Sequence, residues 1–307
     1  MEKRYYPLSK YLQKTYGKKV YKITLDAGLY CPNRDGTISR GGCIFCDDKG
    51  SYSRCLDKKL TIAQQINKSI IKLSDQFKAE AFIAYFQSFS NTYSDIKTLE
   101  KIYSSAFCDN RIVGISIGTR PDCVDSEKLD LIASYKNPTI EYGIQSANDE
   151  TLKLINRGHD FACFKNAVIE TKKRNIRVCA HMILGFENEN RQMIINSAKK
   201  IAKLGIDAIK IHMLTVLKDA PLYQLYKEKP FYLMTQEQYC DLVTEILEYM
   251  PRNTVIERIA GTGYSETTIE PKWVNRRFEI LNMIDRIMIQ KNICQSDKYC
   301  DINIKGN

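Results

Sequence analysis

Three cysteines share one glycine-rich stretch, CPNRDGTISRGGCIFC, which places Cys31, Cys43 and Cys46. A CxxC pair can chelate one metal ion or take two corners of an inorganic cluster, and thiolate is the usual protein ligand of iron–sulfur clusters. Gly36, Gly41 and Gly42 let the backbone turn around a large core. Three readings of this spacing compete. One is a [4Fe-4S] cluster held by three cysteines, with one iron left open. One is a zinc site completed by Cys55. The last is three thiols buried as small hydrophobes. Structural zinc favours four ligands, and Cys55 lies beyond an acidic stretch, without the paired spacing of a zinc ribbon. The chain has 11 cysteines, an odd and irregularly spaced set. In a reducing compartment such residues are thiols or metal ligands rather than a disulfide framework.

These cysteines follow the first of seven β-rich runs, at 20–26, 81–86, 111–117, 139–144, 176–184, 207–214 and 254–259. Helical patterns alternate with them at 61–77, 94–107, 126–135, 149–155, 161–174, 191–204 and 235–249, and a last helix is expected over about 273–290. Alternation of this kind implies βα units around a parallel sheet, an α/β fold. Polar groups gather near the C-terminal ends of the runs: Gln87, Thr119, Gln145, His181, Lys210 and His212. In a barrel of βα units that end holds the active site. The three histidines are His159, His181 and His212. Alternation puts His181 with Cys179, and His212 with Lys210, on one face of their strands. His181, Lys210 and His212 are therefore candidate substrate-binding or proton-transfer groups, weighed against plain structural roles. Neither GxGxxG nor a P-loop occurs.

The 307 residues carry 44% hydrophobic and 27% charged residues, enough for a packed core and too hydrophobic for disorder. No apolar run approaches the roughly 18 residues of a membrane span. The first residues lack a signal-peptide apolar region, so a cytoplasmic location is expected. The net charge of +10 is concentrated at the ends. Residues 1–60 hold 13 Lys and Arg against 6 Asp and Glu, residues 271–307 hold 7 against 4, and the middle is balanced. Tyr5, Tyr6, Tyr11, Tyr16 and Tyr21 alternate with lysines in the basic N-terminal segment. Cations neutralise phosphates and tyrosine rings can stack on unpaired bases, so this segment reads either as a nucleic-acid contact or as a solvated face with packed rings.

Several ordered motifs carry a resemblance over nearly the whole chain: the Cys31/Cys43/Cys46 loop, YFQSFSNTY at 85–93, GTRPDC at 118–123, EYGIQS at 141–146, INRGHD at 155–160, HMILGF at 181–186 and KIHML at 210–214. Together they resemble the radical S-adenosylmethionine (SAM) superfamily. Within it they look like a bacterial group related to the Elongator catalytic subunit, the MnmL (YtqA/YhcC-like) proteins of tRNA wobble-uridine modification. The resemblance implies a partial (β/α)6 TIM-like barrel of the radical SAM type with N-terminal and C-terminal extensions. The extensions would be residues 1–19, basic and Tyr-rich, and 261–307, helical, flanking a core of 20–260. It implies that Cys31, Cys43 and Cys46 hold a [4Fe-4S] cluster whose open iron takes the amino and carboxylate groups of SAM. One electron would then cleave SAM to a 5′-deoxyadenosyl radical that removes hydrogen from substrate, inside a site screened from water.

By motif, Phe45 and the backbone of Leu184 and Gly185 lie against adenine, Gln87 meets the SAM amino group, and Gln145 and Arg157 bind ribose and carboxylate, with Thr119 on the same wall. Gly118 stands where the Elongator subunit has an acidic residue, residues 186–190 replace its glycine-proline turn, and the chain has no length for an acetyltransferase domain. The implied reaction converts 5-carboxymethylaminomethyluridine to 5-aminomethyluridine, with loss of the glycine-derived unit after hydrogen abstraction from its methylene. The implied partners are a tRNA anticodon stem-loop and an external electron donor such as flavodoxin or ferredoxin. The alternatives are a radical SAM enzyme acting on a small-molecule acid and a non-catalytic zinc-dependent nucleic-acid-binding protein.

Overall fold

The computed structural model describes residues 3–48, 50, 60–261 and 266–299. Cys55, the expected fourth ligand of the zinc reading, lies outside the described residues. Six strands, β1 (Val20–Leu25), β2 (Ala81–Phe86), β3 (Ile112–Thr119), β4 (Pro138–Gln145), β5 (Arg177–Leu184) and β6 (Ala208–Met213), pair in chain order, all parallel. A short β7 (Val216–Leu217) leaves the sheet, and β8 (Val255–Arg258) then adds a seventh parallel strand beside β6. β9 (Thr268–Glu270) pairs with β7 as a separate antiparallel ribbon. The main sheet curls into a half-barrel. It matches the expected partial barrel, with one strand more than six.

The helices are α1 (Leu8–Tyr16), α2 (Ile62–Phe77), α3 (Ile96–Ser105), α4 (Ser126–Ala133), α5 (Asp149–Leu154), α6 (Phe161–Lys173), α7 (Arg191–Lys203), α8 (Pro221–Glu228), α9 (Gln236–Glu248) and α10 (Arg277–Gln290). Thr61 and Thr235 start α2 and α9 with reciprocal capping boxes to Gln64 and Gln238. Asp95, Asp125, Asn148, Asp160 and Asn190 cap α3 to α7 with their side-chain oxygens. Strong caps and short connections explain why these elements are readable in the chain. The core lies between strands and outer helices, around Phe82, Phe86, Tyr103, Tyr142 and Phe164.

The basic N-terminal segment differs from the nucleic-acid reading. Residues 8–16 form a helix with apolar positions at Leu8, Tyr11, Leu12 and Tyr16, and Gly17 ends it in the left-handed conformation. Leu12 packs on Val20, Ala81 and Ile83, while Tyr6, Leu8 and Tyr11 cover Cys179, Ala208 and Val255. These are residues of the first halves of the strands. α1 therefore closes the end of the barrel opposite the strand C-termini. Tyr5 is buried, Tyr21 stacks on Phe77 at 5.2 Å, and Tyr11 lies under the Arg177 guanidinium at 4.6 Å. The rings serve packing, so base stacking by this segment is not supported. The C-terminal segment joins it there: Tyr6 N donates to Gln295 Oε1 at 2.8 Å, and Gln295 N to Arg4 O at 2.9 Å.

Inside the barrel lies a buried ion network. Glu141 of β4 accepts from Lys22 Nζ of β1 at 2.7 Å, Ser116 Oγ of β3 at 2.6 Å and Lys210 Nζ of β6, and it pairs with His181 Nε2 of β5 at 2.8 Å. Glu257 of β8 accepts from Lys22 at 2.6 Å and from Arg177 at 2.7 Å. Lys22 thus bridges β1 and β8, the two edges of the sheet. Burial opposes ionisation of Glu141, but Lys210, Lys22 and His181 outweigh it and hold the carboxyl well below the usual range. Burial also opposes ionisation of Glu257, which Lys22, Lys210 and Arg177 bring to about 2 despite the neighbouring Glu141. Depressed carboxyl values stabilise the fold above their ordinary pKa and lose that effect as pH falls through the folded value.

Glu141→Gln is expected to lower the unfolding free energy at neutral pH by about 3–5 kcal/mol, the cost of leaving buried cations without their partner. Urea unfolding checks this. The gap to wild type should narrow progressively as pH falls below about 4.5 toward the depressed folded value, because the unfolded chain takes up the proton that folded Glu141 refuses.

Candidate active site

The C-terminal ends of the strands open into a cavity of about 500 Å³. The loop after β1 supplies one wall with Cys31, Cys43, Phe45 and Cys46. Gly41 and Gly42 take φ of +83° and +80° in succession, which turns the chain back and brings Cys43 toward Cys31. Asn33, fully buried, pins this loop to the turn after α5: its Nδ2 donates to Asn156 O at 2.6 Å and points to Cys43 Sγ at 3.4 Å. Asn156 Nδ2 returns a bond to Gly42 O at 2.8 Å. The INRGHD segment is thereby bound to the cysteine loop.

Arg157 is buried between the two segments. Its guanidinium donates to Gly143 O and reaches Cys43 Sγ at 3.4 Å. A β-bulge between Gly143 and Gln145 lets this happen, and Gln145 takes φ of +71°, a strained value for a residue with a side chain. Gly143 leaves the room: a Cβ there would stand 2.7 Å from Gln145 Nε2 and 2.9 Å from Arg157 Nη2. Gly118 has a similar cause, since a Cβ would meet Phe86 O at 3.0 Å.

The sequence-expected residues fall into two sets. Cys31, Cys43, Phe45, Cys46, Gln87, Thr119, Gln145, Arg157, His181 and His212 all line the cavity. Phe45 lies 6.2 Å from Phe186, and the Thr119 hydroxyl is tied to Thr92 Oγ1 at 2.6 Å. Lys210, Leu184 and Gly185 are not among the lining residues. Lys210 lies beneath the floor on Glu141, with Tyr85 Oη at 3.3 Å. Leu184 is core, and the space in front of Gly185 holds Met213, which with Leu214 lines the cavity.

His181 and His212 stand 5.7 Å apart on the floor. Burial and then Lys210 push the His181 pKa down against Glu141, and burial, Arg258 and His181 push His212 well below its usual value. Both are neutral imidazoles at neutral pH. Burial with Arg157 and Arg120 lowers His159 to about 2, so it too is uncharged.

Sequence reasoning missed Lys22, Tyr85, Glu141, Glu257 and Arg258, although Glu141 stands inside a quoted motif. The available signal was a charged residue in an otherwise apolar central strand. Glu141, Cys179 and His181 each bring one ligand atom within 4.8 Å of the others. Lys22 and Lys210 share that carboxylate, so charge opposes a cation there.

The cysteine wall suits a thiolate-bound iron–sulfur group. Three soft sulfur ligands converge on one cavity. Asn33 and Arg157 direct N–H groups at Cys43 Sγ, Ser90 Oγ lies 3.9 Å from Cys31 Sγ, and the buried Arg120 Nη1 has no partner. Donors of this kind stabilise negative charge on cluster sulfurs.

The family description "Radical SAM superfamily" matches residues 31–201, and "Radical_SAM C-terminal domain" matches 206–290. The chain belongs to the radical SAM superfamily. YtqA of Bacillus subtilis is 37% identical over 288 residues, 93% of this chain and 89% of that protein. Elongator complex protein 3 of Saccharomyces cerevisiae is 28% identical over 152 residues, 48% of this chain and 27% of that protein. The tRNA uridine(34) acetyltransferase of Methanocaldococcus infernus is 25% identical over 167 residues, 53% of this chain and 31% of that protein. A solved structure of the M. infernus Elp3 with an N-terminal deletion superposes with TM-score 0.71 at 16% identity, over 91% of this chain and 64% of that one, which shows a shared fold. This radical SAM protein is thus in the Elp3-related group, and the superfamily uses a [4Fe-4S] cluster and SAM. No described helix is long and apolar enough to cross a membrane.

Gly143→Ala should displace Gln145 and Arg157 at an overpacking cost of about 1–3 kcal/mol. In reconstituted protein it should keep its iron but weaken the effect of SAM on the electron paramagnetic resonance (EPR) of the reduced cluster. A SAM titration followed by EPR checks both.

Proposed function

We propose that this chain is a radical SAM enzyme acting on the wobble uridine of tRNA, converting the 5-carboxymethylaminomethyl side chain to 5-aminomethyl. The observation that carries the radical SAM part is the joining of the cysteine loop to Arg157 in one cavity. The tRNA part is supported by similarity to Elongator complex protein 3 and to a tRNA uridine(34) acetyltransferase.

In this reading Cys31, Cys43 and Cys46 hold the [4Fe-4S] cluster. Held there, the cluster would supply the one-electron reductive chemistry by which this superfamily draws a hydrogen-abstracting radical from SAM. Arg157 orients the SAM carboxylate, as a planar guanidinium can do with two bonds. Gln87 faces the amino group, Thr119 and Gln145 face ribose, and Phe45 borders adenine together with Met213 and Leu214, which line the cavity in place of Leu184 and Gly185. His181 and His212 are neutral on the floor and can donate or accept one hydrogen bond each without adding charge. Lys210 fixes the Glu141 carboxylate beneath them and acts as a positioning residue. In this reading residues 20–260 are the catalytic core, and 1–19 and 261–307 are its N-terminal and C-terminal extensions. The electron comes from an external donor of the flavodoxin or ferredoxin type, in the cytoplasm. The packed N-terminal tyrosines leave the anticodon loop to be met at the cavity rim.

Anaerobic reconstitution followed by EPR tests the centre. A four-iron signal that changes on adding SAM is expected, and Cys31→Ala, Cys43→Ala and Cys46→Ala should each abolish it. Tight zinc without a cluster signal would overturn the reading. Nucleoside analysis of tRNA from cells lacking the gene, incubated with enzyme, SAM and reductant, tests the substrate. Loss of 5-carboxymethylaminomethyluridine with gain of 5-aminomethyluridine is expected.

A further inference from the structure

The barrel interior holds more cations than its carboxylates can neutralise. Glu141 and Glu257 serve Lys22, Lys210 and Arg177. The other ionisable side chains of the floor add no negative charge. Burial raises Cys179 well above its usual value and does the same to Tyr85, and both histidines are neutral. Three cations therefore face two carboxylates before Arg258 is considered.

Arg258 adds another cation. β6 and β8 change register between Ile209 and Lys210, so that Lys210 pairs with Arg258 and Glu257 is the extra residue of a bulge. A bulge lets two consecutive side chains face one side. Glu257 turns into the ion network and Arg258 into the cavity. Among the described residues the ion pairs inside the barrel use Lys22, Lys210 and Arg177, and none reaches Arg258.

The other lining arginines are engaged on the cysteine side. Arg157 is on Gly143 O and Cys43, Arg120 on Asp122, and Arg34 on Asp48. The β6–β8 wall thus presents the exposed Arg258 guanidinium, without a carboxylate among the described residues, close enough to the neutral His212 to lower its pKa.

We propose that Arg258, with His212 beside it, forms a carboxylate-binding site for the substrate, separate from the SAM carboxylate at Arg157. This rests on the radical SAM reading of the cavity and deepens it by naming the chemical class of the substrate group. A planar carboxylate matches one guanidinium with two parallel bonds. A group held here by its carboxylate shares the cavity that the cysteine loop lines.

Two measurements on the reconstituted holoenzyme with SAM test the inference. The first uses phenylglyoxal, an arginine reagent, with peptide mapping of Arg258. N-acetylglycine should slow modification of Arg258 several-fold and N-acetylglycinamide should not. Equal protection by acid and amide, or none by either, would overturn the inference, and this readout is independent of tRNA.

The second uses synthetic anticodon stem-loops bearing the wobble side chain as carboxylate or carboxamide. Wild type should favour the carboxylate by about 10–100-fold in kcat/KM, the worth of a charge-assisted bond. Arg258→Met, read on preparations that retain the four-iron signal, should lose that preference mainly through KM, and Arg258→Lys should restore part of it. A preference that survives in Arg258→Met would overturn the inference. If wild type converts neither stem-loop while N-acetylglycine protects Arg258, the tRNA reading fails and the carboxylate site stands.

Discussion

A single buried carboxylate organises this barrel. Glu141 on the central strand β4 collects Lys22 from β1, Ser116 from β3, His181 from β5 and Lys210 from β6. Lys210 extends the set to Tyr85 of β2, and Lys22 extends it to Glu257 of β8. Every strand of the main sheet has a side chain in the network. A half-barrel has two open edges, and unpaired edges are a structural liability. Here the edges are joined through Lys22 rather than by backbone pairing, and α1 covers the seam from below. The arrangement costs desolvation of several charges, which the dense hydrogen bonding offsets.

Function is built on that floor. Burial, with Lys210 beside His181 and Arg258 beside His212, keeps both cavity histidines neutral against the pull of Glu141. Across the cavity, the cysteine loop is held by Asn33, Asn156 and Arg157, which gather donors around sulfur. The two walls therefore differ in chemistry. One suits soft sulfur ligands and the SAM that the superfamily uses, and the other presents Arg258 and two imidazoles. The β4 bulge and the β8 bulge each set one wall, by re-aiming Gln145 with Arg157 and by turning Arg258 inward.

Much of the fold was legible because each element is locally consistent. All seven strand segments are largely apolar runs bounded by turn signals, and α2 to α7 and α9 start at Thr, Asp or Asn caps. α1 escaped notice because its lysines and tyrosines mask a Leu8, Tyr11, Leu12, Tyr16 stripe, and α8 because its apolar face is short. The cysteine wall was legible from spacing, and Gln145 and Arg157 only from ordered motifs. Of the ion network only His181 and Lys210 were legible, as polar groups near strand ends, and their shared partner Glu141 was not. A lysine in VYKITL or a glutamate in TIEYGIQ is ambiguous alone, since its partner is set by curling of the sheet rather than by neighbours in the chain. Arg258 was missed for a related reason: a bulge reverses the side on which a strand residue points.

Deuterium transfer reports most directly on whether this cavity brings a carboxylate-bearing wobble uridine to the radical. tRNA from cells lacking the gene, grown on glycine deuterated at its methylene, would be incubated with reconstituted enzyme, SAM and reductant. Mass spectrometry of the 5′-deoxyadenosine should then show deuterium, in proportion to the 5-aminomethyluridine formed. Unlabelled 5′-deoxyadenosine alongside unchanged tRNA would contradict the assignment of that side chain as the substrate.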